Sequence, residues 1–584
     1  MGSILWSEKS WFISGLILFS VLSRKAFSYP EIHFVLIKGF SLISKRCPEI
    51  VFDAPWRSRR GELIPITCII NDAHKYPIEL LDIKAQIFGE GLELEHSLFD
   101  RTFDEAIYPT YLGRKPKKLN APWSIHISDS YWYMMDYIQL PDDFVGPIAI
   151  HPQIEFILRG KRRIASTDNL PGLSHAPLRI YISEDPLPTF DGWYYGDAHW
   201  HSDKTKDQVE FAAPVEVAAS FGKAIGLSWF AVTDHSYDLD APVDDYFAID
   251  PDLTKWKSLC EEIKLANSQY DDFVVLRGEE VSCGNSKGRN VHLLVYGVPE
   301  FIPGRGDSAK TGFDFKFKPD LSLQEVLEIV QNYNGVTYAA HPNADNSFLG
   351  RLILNRGTWL DSDCTMEGCY GLQFWNGCSG QRFTDGYKRW LRLLLDGQKR
   401  YIIAGSDAHG DFNRTRKMKF PFVKLVESMD SSFGKPRTCL YCEDGFTGVN
   451  HGSTLNERNI LEAMRRGQAV ITDGPLAIFN IKNEQGQIAN IGETISGERF
   501  ELTLQIKSIE EFGKISKAVL YRGDLSQKIE NIEFELDLKN TEDHYAYLSK
   551  HSVKSNSDCY FRLEATSQRD EYKYRCITNP IWLC

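Results

Sequence analysis

Histidines supply the strongest chemical signal in this 584-residue chain. Between residues 192 and 450 every histidine lies inside a predicted strand or near its C-terminal end, and the set is His199, His201, His235, His292, His341 and His409. Random placement would put several of them on helices or in loops. Because the C-terminal ends of parallel strands converge on one face of an α/β protein, we predict that these side chains meet in one site.

The spacing within this set indicates shared ligands. His199 and His201 are two residues apart on a strand, so both imidazoles leave the same face and can bind one metal ion. Asp407 and His409 repeat that spacing on the last predicted strand of the region. The two pairs together predict a site built from imidazoles and carboxylates.

A pair of adjacent glutamates adds a further candidate. Glu279 and Glu280 follow each other on a predicted strand, so only one of them can point into the site. Neutral imidazoles and carboxylates suit zinc, manganese or iron, and a carboxylate can bridge two ions. Closely spaced metal ions activate water and stabilise both the attacking and the leaving oxygen, so this donor set favours hydrolysis.

Each motif has a simpler explanation when it is taken alone. A lone HxH pair on a strand is usually structural, and the TDH sequence ending at His235 could be a turn held by an Asx hydrogen bond. His341, which precedes Pro342, could simply end a strand. The joint occurrence of all six histidines at strand positions favours the metal site over these explanations.

The elements that must position these residues alternate between apolar and amphipathic segments. The predicted strands are GWYYGDAHWH, LSWFAVTDH, FVVLRGEEV, NVHLLVYG, GVTYAAHP, GLQFWNG and RYIIAGSDAH. Helical periodicity appears in PVEVAASFGKAI, LTKWKSLCEEIKLANSQY, SLQEVLEIVQNY, GYKRWLRLLLDGQ and NERNILEAMRRGQ. Seven strands with interposed helices predict a parallel α/β barrel over residues 191–475.

The flanking regions have a different pattern. Residues 46–190 and 476–584 contain alternating runs separated by turn clusters, which predict an N-terminal and a C-terminal β-sandwich. Residues 1–45 form an apolar N-terminal segment. Its core, residues 11–22, has the length of a signal-peptide core but lacks a positive leading region, so a buried or interfacial helix is favoured over a signal or a membrane anchor. We therefore expect a cytoplasmic protein.

Composition limits the partners. The net charge of −13 and the pI near 5.7 argue against a nucleic-acid polymer as the main partner, whereas a local basic patch could bind a small anionic substrate. The twelve cysteines are scattered, and Cys439 and Cys442, which form a lone CxxC, lie in an apolar run that predicts a strand. Reduced structural thiols are expected, and the oligomeric state is left open.

The motifs together resemble the PHP (polymerase and histidinol phosphatase) family, in particular its larger hydrolases with flanking β-domains. GDAHWHS resembles the opening motif of that family, AVTDHS its second motif, and RGEEVS followed by NVHLLVYG its third. AAHP, FWNG, GSDAH and the ITDGP ending resemble the remainder, so the resemblance covers roughly residues 192–475. It implies a distorted seven-stranded (β/α)7 TIM-like barrel that binds two or three divalent ions, usually manganese, zinc or iron.

The resemblance also implies a ligand set. A first metal would be held by His199, His201, Glu280 and Asp407, with Glu280 bridging to a second metal held by His292 and His341. Glu280 is preferred over Glu279 because it directly precedes Val281 and Ser282, as the bridging glutamate does in related members. A third metal would take His235 and His409, with Asp207 where the family supplies another histidine or aspartate, and Asp203 as an alternative.

These residues and the resemblance converge on hydrolysis, with Asp407, Glu280 and His235 as the candidate catalytic residues. Arg289, Arg414, Arg416 and Arg437 flank the metal motifs and could hold a substrate phosphate, although solvated loop charges would give the same pattern. A phosphate mono- or diesterase is the leading hypothesis. A carbamate or carboxylic-ester hydrolase with a wall of Trp200, Trp229, Phe374 and Trp375 is one alternative, and a non-catalytic metal-binding scaffold with carbohydrate- or protein-binding sandwiches is another.

Overall fold

The computed structural model describes residues 47–98, 124–169, 176–205, 212–243, 248–306, 318–343, 355–377, 379–410, 412–413, 417–420, 423–426, 431–442, 455–555 and 557–584. The protein is mostly β, and its strands form several sheets that pack against one another. The apolar segment 11–22 lies outside the described residues. Within the described ranges, none of the helices is both long and apolar enough to cross a bilayer.

Two sheets form the first β-region. One contains β1 (Glu49–Asp53), β3 (Ile64–Asn71) and β7 (Tyr131–Ile138). The other contains β2 (Arg57–Arg59), β4 (Ile78–Gly89), β5 (Leu92–Ser97), β6 (Ile125–Ile127), β8 (Gly146–Leu158), β9 (Lys161–Ser166) and β10 (Leu178–Ser183). Along β8 buried residues alternate with more exposed ones, as a strand with one covered face requires. Ile66 and Ile70 of the first sheet share a core with Ile83 and Ile154 of the second, which makes this region a sandwich.

The central region has strands in all seven segments predicted from the sequence. They are β11 (Trp193–His201), β12 (Trp229–Val232), β13 (Val274–Gly284), β14 (Asn290–Tyr296), β15 (Val336–Ala340), β16 (Gly371–Asn376) and β17 (Tyr401–Gly405), and each pairs with the next in this order. β17 leads into β18 (Ala408–His409), which pairs with β11, so the order returns to its start. A small hairpin of β19 (Lys417–Phe420) and β20 (Val423–Val426) follows.

One expectation for this region is wrong. The strands are not uniformly parallel, because β14 runs antiparallel to both β13 and β15. Residues 285–289 between β13 and β14 form a short turn that includes Gly288 at a φ of 67°. A parallel crossover needs a dozen or more residues, so a connection of this length can only make a hairpin.

Helices cover the outside of these strands. They are α1 (Val215–Ile225), α2 (Ser236–Leu239), α3 (Thr254–Gln269), α4 (Leu323–Asn332), α5 (Asp361–Cys364), α6 (Gln381–Leu395) and α7 (Glu457–Arg466). Ser322 and Glu325 form a capping box that starts α4. Gly226 and Gly467, both with positive φ, end α1 and α7. The longer helices match the segments whose apolar residues recur at helical spacing.

The last strands continue the central sheet through β21 (Arg437–Tyr441) and β22 (Ala469–Thr472). Beyond them come β23 (Leu476–Asn483), β24 (Ile488–Asn490), β25 (Thr494–Ile495), β26 (Arg499–Lys507), β27 (Lys514–Asp524), β28 (Ile529–Asp537), β29 (Ala546–Lys554), β30 (Cys559–Arg569), β31 (Tyr572–Thr578) and β32 (Ile581–Leu583), with a 3₁₀ turn at Glu510–Phe512. The β24-β23-β26-β29 sheet packs on the β31-β30-β27-β28 part of the central sheet through Leu502, Leu504, Leu520 and Leu563. This gives a second sandwich.

A buried arginine joins the three regions. Arg57 of β2 donates to Glu511 Oε2 at 2.6 Å, to the backbone oxygen of Ile225 at 2.9 Å and to that of Asp185 at 2.6 Å. Arg57 and Glu511 are almost fully buried. A buried charge is tolerated only when it is paired and hydrogen-bonded, and Arg57 meets both conditions.

Candidate metal centre

The histidines come together because of where each strand ends. His199 and His201 close β11, His235 follows β12 and precedes α2, and His341 directly follows β15. His292 lies near the start of β14, opposite Ser282 of β13. Because β14 runs antiparallel, its beginning reaches the edge where β11, β12 and β15 end.

The first group consists of two imidazoles and two carboxylates whose ligand atoms lie within 4.8 Å of one another: His199, His201, Glu280 and Asp407. The Nε2 atoms of His199 and His201 are 3.1 Å apart. Asp407 Oδ1 is 3.2 Å from each of these nitrogens, and Glu280 Oε2 is 3.3 Å from His199 Nε2 and 3.4 Å from His201 Nε2. Four donor atoms thus point at one small volume.

Glu280 reaches a second set of imidazoles through its other oxygen. Its Oε1 lies 2.8 Å from His292 Nδ1 and 2.8 Å from His341 Nε2. Its Oε2 also lies 3.1 Å from His235 Nδ1. A carboxylate that faces ligands on both oxygens has the arrangement of a bridge between two ions.

A third group is made of imidazoles alone. Ligand atoms of His201, His235 and His409 lie within 4.8 Å of one another. The rings of His201 and His409 stack at a centroid distance of 4.1 Å. Asp207, the further ligand expected for this group, lies outside the described residues.

Electrostatics follow from burial and proximity. Burial by itself would raise the pKa of Glu280, but His292, His199 and His235 outweigh it and hold this pKa well below its usual range. Burial would likewise raise the pKa of Asp407, which His199 and His201 hold low. Conversely, burial opposes protonation of His201, yet Asp407 and Glu280 raise its pKa to about 10. The carboxylates are therefore ionised and attract positive charge.

This donor set fits divalent metal ions. Imidazole nitrogens and ionised carboxylates are the usual protein ligands of zinc, manganese and iron. The cluster residues are buried, except that the side chain of His341 is 10% exposed. Two imidazole nitrogens that face each other beside two carboxylates need a shared cation or protons between them. A buried cluster of this composition is compatible with a metal site.

Two residues of the cluster have unusual backbones. His341 has a φ of 28° and Asp407 a φ of 54°, which L-residues rarely adopt. Asp407 is held there by a hydrogen bond from its backbone nitrogen to the backbone oxygen of His199, at 2.7 Å. Such conformations recur at functional sites because the surrounding structure maintains them.

Glu279 lies away from the cluster. It accepts hydrogen bonds from Ser236 Oγ at 3.1 Å and from the backbone nitrogen of Ile302 at 3.4 Å. Burial raises its pKa to about 8. The two adjacent glutamates therefore occupy opposite faces of β13, as the strand period requires.

The four candidate arginines have different positions. Arg289 is exposed in the turn between β13 and β14, and Arg414 and Arg416 lie outside the described residues. Arg437 is fully buried, with its guanidinium carbon 5.2 to 6.0 Å from the ring centroids of Phe512, Tyr195 and Trp56. Because it packs between the three regions, we assign Arg437 a structural role and omit it from substrate binding.

Other buried polar residues around the cluster were not singled out from the sequence. Asp197 accepts from the backbone nitrogens of His199 and Ser406, at 3.1 and 2.9 Å. Asp234 accepts from Ser202 Oγ at 2.7 Å and from Thr205 Oγ1 at 2.8 Å. Their positions within the GDAHWH and TDH motifs were the available signal, since supporting carboxylates often sit beside ligands.

The four aromatic residues expected to wall an ester or carbamate pocket belong to the hydrophobic core. Trp200, Trp229 and Trp375 are at most 1% exposed, and Phe374 is 3% exposed. Trp200, for example, packs on Phe230, with the two ring centroids 5.3 Å apart. The pocket wall that would have favoured the ester or carbamate alternative is therefore not formed by these side chains.

Comparison with known proteins adds little to this geometry. No family model matches the chain, and no curated protein matches it either. Among solved structures, a candidate metal-dependent phosphoesterase from Bifidobacterium adolescentis is 16% identical over 37% of this chain and 89% of that one, with a TM-score of 0.26. A β-glucuronidase from Parabacteroides merdae is 8% identical over 92% and 64% of the two chains, with a TM-score of 0.17. At such TM-scores neither likeness carries weight.

Proposed function

We propose that this protein is a metal-dependent hydrolase whose cluster holds two or three divalent ions. The observation that carries the proposal is Glu280, which is fully buried and faces five imidazoles through its two oxygens. An ionised carboxylate in that position needs cations around it. Manganese, zinc and iron all suit the donors.

The cluster residues have distinct tasks in this proposal. His199, His201, Glu280 and Asp407 would hold one ion, His292 and His341 would hold a second that shares Glu280, and His235 and His409 would hold a third with Asp207. Bound ions of this kind make water nucleophilic at neutral pH and take up negative charge from the reacting group. Asp407 and His235, whose side chains border the same volume, are the candidates to carry the proton to the leaving group.

The motif resemblance supports a PHP-type arrangement. The strand order β11 to β17, with β18 returning to β11, suits a distorted barrel in which the β13–β14 hairpin replaces one crossover. This arrangement gathers the ligands at one rim. We propose that rim as the substrate-binding face.

Phosphate mono- or diesters are the proposed substrates. Arg289 lies in the exposed turn that leads into the strand carrying His292, and Arg414 and Arg416 follow His409 by a few residues in the sequence. Additional cationic donors at a metal site favour a doubly charged phosphate over a neutral ester. The core positions of Trp200 and Trp375 remove the feature that favoured a carbamate or ester pocket.

The test is a substrate panel with metal-reconstituted protein. We expect manganese-stimulated hydrolysis of p-nitrophenyl phosphate or bis-p-nitrophenyl phosphate, lost in His199→Ala and kept in His551→Ala, a control in the C-terminal sandwich. At least one of Arg289→Ala, Arg414→Ala and Arg416→Ala should cost about 2–3 kcal/mol in kcat/KM. Much faster turnover of p-nitrophenyl acetate or an aryl carbamate, with all three arginine variants indifferent, would replace the phosphoesterase with an ester or carbamate hydrolase.

A further inference from the structure

Two amide side chains on β16 link residues of the cluster. Gln373 is fully buried, and Asn376 lies three residues further at the end of the strand. Gln373 Oε1 is 3.4 Å from His199 Nδ1, and Gln373 Nε2 donates to Asn376 Oδ1 at 2.8 Å. Asn376 Nδ2 in turn donates to Asp407 Oδ2 at 2.7 Å. The side chains of Gln373 and Asn376 thus connect His199 with Asp407.

The orientation of Gln373 follows from its backbone partners. Its Oε1 accepts from the backbone nitrogen of His341 at 3.0 Å, and a backbone N–H can only donate. Its Nε2 faces the backbone oxygens of Trp375 at 3.3 Å and Gly405 at 3.4 Å, which can only accept. If the oxygen and nitrogen of the Gln373 amide were exchanged, both would therefore lose their hydrogen bonds to the backbone.

This orientation determines the tautomer of His199. Since Gln373 presents an oxygen to His199 Nδ1, that nitrogen must carry the hydrogen. In the neutral imidazole, the form that binds metal, the lone pair is then on His199 Nε2, which is the atom that faces Glu280 and Asp407. The lone pair points where a metal ion would be bound.

The same two amide side chains orient Asp407. Asn376 Oδ1 is used by Gln373, so its Nδ2 is the group that meets Asp407 Oδ2. The other oxygen, Oδ1, is left to face His199 and His201 at 3.2 Å. Oδ2 of Asp407 therefore accepts from Asn376, and Oδ1 faces the imidazoles of the cluster.

We propose that Gln373 and Asn376 are positioning residues that act together as an amide relay, presetting the His199 tautomer and the Asp407 carboxylate for metal binding. The inference rests on the proposed metal centre. An outer partner of a ligand typically contributes 10–100-fold to metal affinity, and the relay supports two ligands of one group. Because the relay is neutral, it orients the ligands without adding charge to the site.

The experiment measures zinc affinity with a competing chelator dye and, separately, urea unfolding of the metal-free protein. Gln373→Met and Asn376→Ala should each weaken the tightest zinc site by about 10–100-fold. Asn579→Ala is the matched control, because Asn579 is also a buried amide and bonds both backbone groups of Ile402 on β17, away from the cluster. It should lower resistance to urea and leave zinc affinity unchanged.

The double variant tests whether the two amides act as a unit. If they do, Gln373→Met with Asn376→Ala should lose clearly less affinity than the product of the two single losses. Should Gln373→Met fail to fold, Asn376→Ala alone decides, since Asn376 is only partly buried. Wild-type zinc affinity in Asn376→Ala, an equal loss in Asn579→Ala, or strictly multiplicative losses would overturn the relay. Absence of zinc binding by the wild-type protein would instead overturn the metal centre itself.

Discussion

The adjacent glutamates of β13 offer the sharpest test of the cluster, because the same substitution can be made on both faces of one strand. Glu280→Gln keeps the shape of the side chain and removes the charge that faces five imidazoles. Glu279→Gln makes the same change at a carboxyl bonded to Ser236 and Ile302. The two variants therefore differ in surroundings and not in chemistry.

The expected magnitudes differ strongly. Loss of an outer partner of a ligand costs 10–100-fold in metal affinity, so loss of a bridging ligand should cost at least about 100-fold, or about 2.7 kcal/mol. Glu279, in contrast, has a pKa near 8 because of burial and is largely neutral at pH 7. Glutamine there replaces one neutral group with another, and metal affinity should change by less than about 3-fold.

Glu279 also predicts a pH effect on the stability of the metal-free protein. Its pKa in the folded state, about 8, lies above the ordinary value of 4.5, so the folded state holds this proton more tightly than the unfolded state. The resulting stability is present below pH 4.5 and is lost as the pH rises to 8, by at most about 5 kcal/mol. Glu279→Gln cannot titrate and should lack this part of the decline.

The assays are zinc or manganese affinity at neutral pH and urea unfolding of metal-free wild type and variant at about pH 5 and about pH 8. We expect Glu280→Gln to lose metal and activity, and Glu279→Gln to keep both while gaining stability relative to wild type as the pH rises. Equal metal loss in both variants, or greater loss in Glu279→Gln, would show that the assignment of the two faces of β13 is wrong.

Three further predictions address metal content, proton release and the junction between the regions. Protein reconstituted with manganese, zinc or iron should contain about two to three ions per chain by elemental analysis, and fewer than one would contradict the cluster. Because the pKa of His201 is near 10 without metal, zinc binding at pH 7 should release at least about one proton, and zinc affinity should increase with pH. Calorimetry in buffers of different ionisation enthalpy measures this release. Zinc binding without proton release would contradict the prediction. Arg57→Met leaves the charge of Glu511 buried and unpaired, so it should lower the free energy of unfolding in urea by about 3–5 kcal/mol while metal content is unchanged. The control is Lys528→Met, which removes an exposed ion pair and should leave the free energy of unfolding nearly unchanged.

Local patterns in the sequence were sufficient for the elements and for much of the cluster. The seven strand segments and the longer helices follow from periods of two and of about 3.6 residues, which depend only on neighbouring positions. The shared face of His199 and His201 follows from the strand period alone. The short connection before Asn290 also contained the information that β14 must turn back, although the alternation of strands and helices favoured a parallel barrel.

Other features depended on residues far apart in the chain. The contact between Asp407 and His199 joins positions more than 200 residues apart, and the orientation of Gln373 depends on His341 and Gly405. No periodicity encodes such distances, because they result from how whole strands stack and curve.

Arg437 shows most clearly what the sequence could not predict. Its place beside the metal motifs in the sequence suggested a substrate contact, but the packing of three regions encloses it among Trp56, Tyr195 and Phe512. The sequence by itself determined which residues could bind metal and which of them share a strand face. Only the tertiary structure decided how far apart the ligand atoms lie, which amides support them and which arginine is buried, because distances and burial are properties of packed surfaces and not of neighbouring residues.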